Sequence, residues 1–247
     1  MIAAHPLPSS YELIWTQDGS PSLLWRDQNS TVAITEAMHH SGGALSESLY
    51  IYGQPIQWAF AEGLTKVASV GLGLGYNEFL SFKNESPSLI CVHSYEKDTG
   101  LVEQFRVFLQ TGTGPVYKKI LELLTAAELY TDLRERIWQA HQESRLQVRG
   151  CLETDSRQDR YGLILYDAFS SKRSPQLWSE DFLCQWLREH AQDRCLFASY
   201  ACTGALKRAL RANGFTLLDR RGFHGKRAST LAFRGLTKSP DWILGIS

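Results

Sequence analysis

The sequence predicts an α/β protein built on a mostly parallel, Rossmann-like sheet closed by a terminal antiparallel hairpin. A small β-rich N-terminal subdomain and a helical insert are added to it. Three observations carry this expectation. From residue 66 onward, short apolar runs alternate with segments of helical periodicity, as in a parallel sheet with crossover helices. The first of these runs passes straight into glycines at 71, 73 and 75, followed by a helix-like stretch. The last two runs, Phe215–Asp219 and Ser229–Phe233, read as a hairpin.

Residues 1–60 form the expected β-rich subdomain, and residues 61–247 the main domain. Leu13–Trp15 and Pro21–Trp25 flank Asp18-Gly19, a strong hairpin-turn signal. Thr31–Ile34 follows, Ser41-Gly-Gly43 breaks the chain, and the run Ser48–Tyr52 completes the subdomain. In the main domain, strands are expected near 66–71, 89–95, 146–152, 161–166 and 194–199. Helices are expected over 99–110 and 117–143, separated by Thr111–Pro115. That is more helix than one crossover needs, so an insert covering the site is expected. A helix over 180–191 takes Ser179 as N-cap. A short one over Leu206–Asn213 closes on Gly214 at the C′ position.

The glycine turn is the chemical signal. A turn without side chains lets backbone N–H groups approach a ligand at a helix N-terminus. About twenty residues on, the second strand ends in Glu96, placed to accept hydrogen bonds from ribose hydroxyls. Together they suggest a nucleoside-containing cofactor. The dinucleotide fingerprint fails, because its third glycine would fall at Tyr76, and no Gly-Lys-Ser/Thr supports a P-loop. Gly71-x-Gly73-x-Gly75 with a downstream acid suits a ligand without phosphate, such as S-adenosylmethionine. A merely structural strand-to-helix turn is the competing reading. The buried strand Tyr161–Tyr166 then delivers Asp167 at its carboxyl end, where ligands sit in open α/β sheets. A carboxylate there favours a nearby sulfonium and can orient an amine or accept its proton. The bland alternative is an aspartate capping its turn, but a long polar loop follows it.

Composition narrows the class. Hydrophobic content of 43% and charged content of 21% suit a soluble globular protein. The apolar runs are strand-length and the N-terminus lacks a signal-peptide pattern, so neither membrane nor secretion is expected. Five scattered cysteines without C-x-x-C read as free thiols of a cytoplasmic protein. The formal net charge of zero argues against a general nucleic-acid coat protein but permits a local basic patch. Arg220, Arg221, Lys226 and Arg227, with Lys172 and Arg173, are candidates for phosphate contacts. Phe223 and His224 add an aromatic surface able to stack on a splayed base. His39-His40 lacks a third ligand at suitable spacing, so no metal is expected.

Several segments in order resemble MnmC-type tRNA methyltransferases. Asp167-Ala-Phe-Ser-Ser-Lys-Arg-Ser-Pro-Gln-Leu-Trp178 is similar to that family's Asp-Gly-Phe-Ala-Pro-x-Lys-x-Pro-x-x-Trp signature. Ser41–Tyr52 is similar to its Gly-Leu-x-Glu-x-x-Tyr-Val-Phe segment, and Val70–Asn77 to its Gly-Phe-Gly-Thr-Gly-x-Asn loop. Gly214-Phe215 and Arg220–Arg227 resemble its C-terminal run. The resemblance implies a class I methyltransferase fold and transfer of a methyl group from S-adenosylmethionine. The acceptor it implies is the amine of 5-aminomethyl-2-thiouridine at the tRNA wobble position. Fused members add a flavin oxidase domain. This chain resembles the stand-alone form, so no flavin and a separate oxidase partner are expected.

Carried over by position, Asp167 becomes the active-site acid and donor contact, and Phe169 flanks the base or the methyl donor. Lys172 shapes the loop, Glu96 takes the ribose contact, Glu47 reaches the donor's amino-acid moiety or the substrate amine, and Asn77 helps bind the donor. Two departures stand out. Asp-Ala-Phe-Ser-Ser lacks the family's Ala-Pro step. The acid that commonly contacts adenine is replaced by Cys151, leaving Glu153 or Asp155 as substitutes. The departures leave room for another acceptor (a small amine, another RNA base or a protein) or for a non-catalytic member of the fold.

Overall fold

The structure is a computed structural model that describes residues 7–28, 34–84, 90–125, 130–225 and 228–237. Two sheets are present. Strands β1 (Tyr11–Trp15), β2 (Pro21–Arg26) and β3 (Thr35–Ala37) form a small antiparallel sheet in that order. The main sheet contains β4 (Lys66–Val70), β5 (Cys91–Tyr95), β6 (Leu146–Arg149), β7 (Tyr161–Tyr166), β8 (Ala191–Ser199), β9 (Thr216–Leu218) and β10 (Thr230–Arg234). Its order is β6-β5-β4-β7-β8-β10-β9. The first five strands are parallel, and β10 runs antiparallel to both β8 and β9. The chain reverses direction across the sheet between β4 and β7, the switch point at which α/β sheets bind ligands. The central strand β7 reads as an unbroken apolar run and is buried along its whole length, as in a parallel sheet covered on both faces.

On one face, α2 (Gln54–Ala61), α3 (Tyr76–Lys83) and α4 (Thr99–Thr111) share a core with α5 (Pro115–Leu124) and α6 (Tyr130–Gln142). On the other lie α7 (Glu180–His190) and α8 (Gly204–Ala212). Side chains set the helix starts. Asp98 accepts from the N–H groups of Gly100 and Leu101, Ser179 from Phe182, and Thr203 from Leu206. The insert between β5 and β6 comprises α4 to α6. It buries Tyr117, Ile120, Leu133 and Ile137 in the core, and none of its described residues lines the cavity described below. The expectation that it covers the site is therefore corrected: its apolar stripes are consumed in packing.

A second correction concerns Ser48–Tyr52, expected in the β-rich subdomain. The segment is helical. Helix α1 (Ala44–Ser48) runs through a π-helical turn (Leu49–Gly53) into α2. Burial of Ile51, Tyr52 and Ile56 against the main sheet overrides the β-propensity of the aromatic run. The guanidinium of Arg220 donates to the carbonyls of Tyr50 and Ile51 and to Gln54 Oε1. Arg220 is thus buried as a clamp on carbonyls the wide turn leaves free, which removes it from the expected phosphate contacts.

Asp18 anchors the start of α1. One carboxylate oxygen accepts from Thr16, Ser20 N–H and the Ser20 hydroxyl, the other from Ser46 N–H and its hydroxyl. Those bonds hold its carboxyl well below the usual range. No helix crosses from β6 to β7. A loop with one 3₁₀ turn (Leu152–Thr154) covers that part of the sheet and is pinned by buried Arg149. Arg149 donates to Asp155 (3.3 Å), Asp159 (2.7 Å) and the Tyr95 and Tyr161 hydroxyls. Among the described residues, no helix is long and apolar enough to cross a membrane.

Candidate active site

A cavity of about 500 Å³ opens at the carboxyl ends of β4, β5, β6 and β7. The glycine turn forms its floor. Gly71 has φ +92°, and a Cβ there would lie 2.5 Å from the backbone oxygen of Asp167. Only glycine lets β4 and β7 emerge so close together. Gly75 has φ +76°, and a Cβ there would lie 2.6 Å from the Phe105 ring, so the entry to α3 is fixed against the core. The carboxylate of Glu96 accepts from Gly73 N–H (3.2 Å) and Asp98 N–H (2.9 Å). Its side chain is thereby held at the tip of β5 beside the turn, while burial raises its carboxyl.

Asp167 sits at the tip of β7. Its Oδ2 lies 3.4 Å from Asn77 Nδ2, and the Tyr52 hydroxyl donates to the same carboxylate. Tyr52 in turn accepts from Tyr200 N–H at 3.3 Å. Burial, with Glu47 and Glu78 nearby, pushes the Asp167 carboxyl up to about 7, against the lowering influence of Tyr52 and Asn77. Glu47, on α1, is buried and accepts His40 N–H at 2.6 Å. Glu78 lies fully buried beneath the turn on α3. It accepts the Ser94 hydroxyl at 2.6 Å, and burial pushes it up to about 7. Three acids thus converge behind one apolar-walled cavity, and a cation or amine is the ligand group that such a wall stabilises.

The loop after Asp167 is fastened on both sides. Glu36 on β3 accepts from Ser170 N–H (3.0 Å) and its hydroxyl (2.9 Å). Trp178 Nε1 donates to Phe169 O, the Tyr200 hydroxyl donates to Ala168 O, and Arg173 stacks on Trp25. These ties hold the loop without the missing Ala-Pro step. The small sheet therefore serves as the far wall of the cavity.

Of the residues expected from sequence, Gly71, Gly73, Asn77, Glu96, Glu47, Glu153, Asp167 and Phe169 line this one cavity. Gly75 shapes the turn behind it. Lys172 is exposed on the outer side of its loop, and Arg221 also lies outside the cavity wall. Phe223 sits at the rim, with its ring 5.8 Å from His40 and 6.2 Å from Tyr50. His224 stacks on His40 at 5.5 Å. Lys226 and Arg227 fall outside the described residues. Of the two expected substitutes for the acid at Cys151, Glu153 lines the cavity and accepts the Cys151 thiol at 2.6 Å, whereas Asp155 is held by Arg149 and Arg157. Glu36, Tyr52 and Tyr200 also line the site. Glu36 and Tyr52 carry no signal in sequence, because each comes from an element far along the chain from Asp167, whereas Tyr200 directly follows β8, the strand beside β7.

A sequence profile described as S-adenosyl-L-methionine-dependent methyltransferase matches residues 137–235, which include β7, Asp167 and the loop after it. Over that stretch the chain is similar to S-adenosyl-L-methionine-dependent methyltransferases. Its sequence resembles the MnmC type. It is 27% identical over 241 residues to the tRNA 5-methylaminomethyl-2-thiouridine biosynthesis bifunctional protein MnmC of Azoarcus sp., covering 87% of this chain and 34% of that protein. It is 24% identical over 253 residues to the uncharacterized protein MJ0670 of Methanocaldococcus jannaschii, covering 96% of this chain and 63% of that one. The chain thus spans less than two thirds of the length of either relative. Its fold is similar to that of MNMC2 from Aquifex aeolicus, with a TM-score of 0.65 and 22% identity, over 98% of this chain and 76% of that one.

Proposed function

We propose that this methyltransferase N-methylates the 5-aminomethyl group of the wobble (2-thio)uridine of tRNA. The observation that carries the reading is the pairing of Asp167 with Glu47 in a cavity rimmed by His40, Phe223 and His224. Carboxylates suit an amine nucleophile, and aromatic rings suit an unstacked base. Residues 1–60 contribute the far wall, and residues 61–247 form the methyltransferase domain. The likeness to MnmC proteins supports tRNA as the partner and a separate flavin oxidase that releases the amine. That reading assigns the protein to the cytoplasm, where tRNA is modified.

The residues present fit S-adenosylmethionine. The cavity is within the range of cofactor sites. A side chain at Gly71 would close its floor, and Glu96 is already fixed by two backbone donors with lone pairs left for ribose hydroxyls. Glu153 is positioned for the adenine amine. When bound, S-adenosylmethionine supplies an electrophilic methyl group on a sulfonium. Asp167 then acts on the acceptor. With its carboxyl near 7, it is poised to take a proton from the substrate ammonium and hold the neutral amine by hydrogen bond. Tyr52 and Asn77 keep its oxygens oriented, and such positioning supplies much of the acceleration. The loop after Asp167, tied to Glu36 and Trp25, holds Phe169 against the incoming base and excludes water.

The test is methyl transfer to tRNA isolated from cells lacking this modification, followed by nucleoside mass spectrometry. The expected product is 5-methylaminomethyl-2-thiouridine. Unchanged wobble uridine in the presence of bound S-adenosylmethionine refutes the acceptor, and methylation of a small amine or a protein instead identifies the substitute.

A further inference from the structure

A second groove, of about 340 Å³, opens beside the active-site cavity between α8 and the β9–β10 hairpin. Its walls are cationic. Lys207 and Arg211 lie four residues apart on α8 and so share a face, and Arg221 lines the groove with them. Among the described residues, none of these three has an ion-pair partner, whereas Arg208 between them is engaged with Glu180. The acid in the wall is Asp219. In a chain whose formal net charge is zero, this is a marked local excess of positive charge. Buried Arg220 also lines the groove, but its guanidinium is engaged by Tyr50, Ile51 and Gln54, so Lys207, Arg211 and Arg221 carry the charge.

The groove joins the active site along two paths. The chain leaving β8 contributes Tyr200 to the cavity and, two residues later, Cys202 to the groove. The chain leaving β9 contributes Arg221 to the groove and then Phe223 to the aromatic rim at His40. The rim is rigid, because the Tyr50 and Ser229 hydroxyls both donate to Arg221 O.

We propose that this groove binds the phosphate backbone of the RNA strand next to the nucleotide held in the cavity. The proposal rests on an RNA acceptor. Unpaired Lys and Arg lining an open trough are the electrostatic footprint of a polyanion, and binding by such groups releases counterions. Of the apolar side chains lining the groove, Leu217 and Leu218 are half-buried, and none of Trp15, Ile34, Leu49 and Leu123, the exposed large apolar side chains among the described residues, lies in its wall, so its exposed surface is chiefly cationic.

The test uses the full chain with K207Q/R211Q/R221Q, and K207R/R211K/R221K as the charge-keeping control. Binding of tRNA lacking the wobble modification is measured by fluorescence anisotropy across a KCl series. Affinity for S-adenosylmethionine is measured by calorimetry, as a check on folding. The expected result is a loss of tRNA affinity on the order of 10- to 100-fold. The slope of log K against log salt falls by about 2, since each lost phosphate contact removes roughly 0.7 to 0.9. The expected KM for tRNA rises with kcat little changed, donor affinity is unaltered, and the control restores binding. A glutamine variant that keeps wild-type affinity and salt slope overturns the groove. Failure of the wild-type protein to bind tRNA overturns the RNA acceptor itself, and the two failures are read in different arms. Equal loss of binding to polyglutamate marks unspecific attraction and overturns the assignment to RNA.

Discussion

Substituting Gln for Glu78 is expected to stabilise this protein at alkaline pH and to do much less at acid pH. The carboxyl is fully buried and pushed from 4.5 to about 7 by burial, despite the Ser94 hydrogen bond. Its second oxygen has no partner, and the Ser69 hydroxyl lies beside it without good hydrogen-bond geometry. A carboxyl with a raised folded value holds its proton in the native state longer than in the unfolded chain. Its stabilising contribution is complete below 4.5 and is lost as pH climbs through 7. The rise corresponds to about 3 kcal/mol at 1.36 kcal/mol per pH unit. Glutamine does not titrate. Its Oε1 can accept from Ser94, and its Nε2 can donate to Ser69. The stability gap between variant and wild type should therefore widen by roughly 2 to 3 kcal/mol between pH 5 and pH 8.5. Urea denaturation followed by tryptophan fluorescence measures this gap, which includes the relief of Asp167, whose carboxyl the nearby Glu78 helps to raise. A gap that stays constant from pH 5 to pH 8.5 would show that Glu78 does not titrate as its burial demands.

Asp167→Asn is expected to lower kcat/KM by roughly 100- to 10,000-fold, the usual reach of a general base, with donor affinity little changed. In the wild-type enzyme the same quantity should rise with pH through about 7, because only the ionised carboxylate accepts a proton. A flat pH–rate profile between 6 and 8 counts against the assignment. Gly71→Ala should abolish donor binding in calorimetry and lower the melting temperature, since the added methyl meets the Asp167 carbonyl at positive φ; a variant that binds normally contradicts the geometry of the floor. Glu96→Ala should weaken S-adenosylmethionine at least about tenfold, the loss of charge-assisted hydrogen bonds, while tRNA affinity stays constant. Equal weakening of both ligands would place Glu96 outside the donor site.

What the sequence disclosed and what it hid follow from distance along the chain. Glu96 and Asp167 were legible because strand tips in a parallel sheet face one crevice, so that periodicity alone locates them. The glycine turn was legible because no other residue satisfies its backbone. Tyr52 and Glu36 were not, since they reach Asp167 and Ser170 across 115 and 134 residues and belong to elements whose placement depends on packing. The run Leu-Tyr-Ile-Tyr misled on local grounds: its β-propensity is real but weaker than the burial of Ile51 and Tyr52 in a helix. Arg220 misled differently. A basic residue between basic neighbours looks solvated until a π-helical turn supplies carbonyls for it to clamp.

The strand order has a consequence for biosynthesis. β10 is the last described strand to be made, yet it lies between β8 and β9. Until it emerges from the ribosome, β8 presents a bare edge over Cys195–Ser199, a stretch that is completely buried in the finished protein. Exposed edges of this kind invite pairing with other chains. The main sheet should consequently close only once β10 has left the ribosome, and stalled fragments ending before Thr230 should depend on chaperones and aggregate without them.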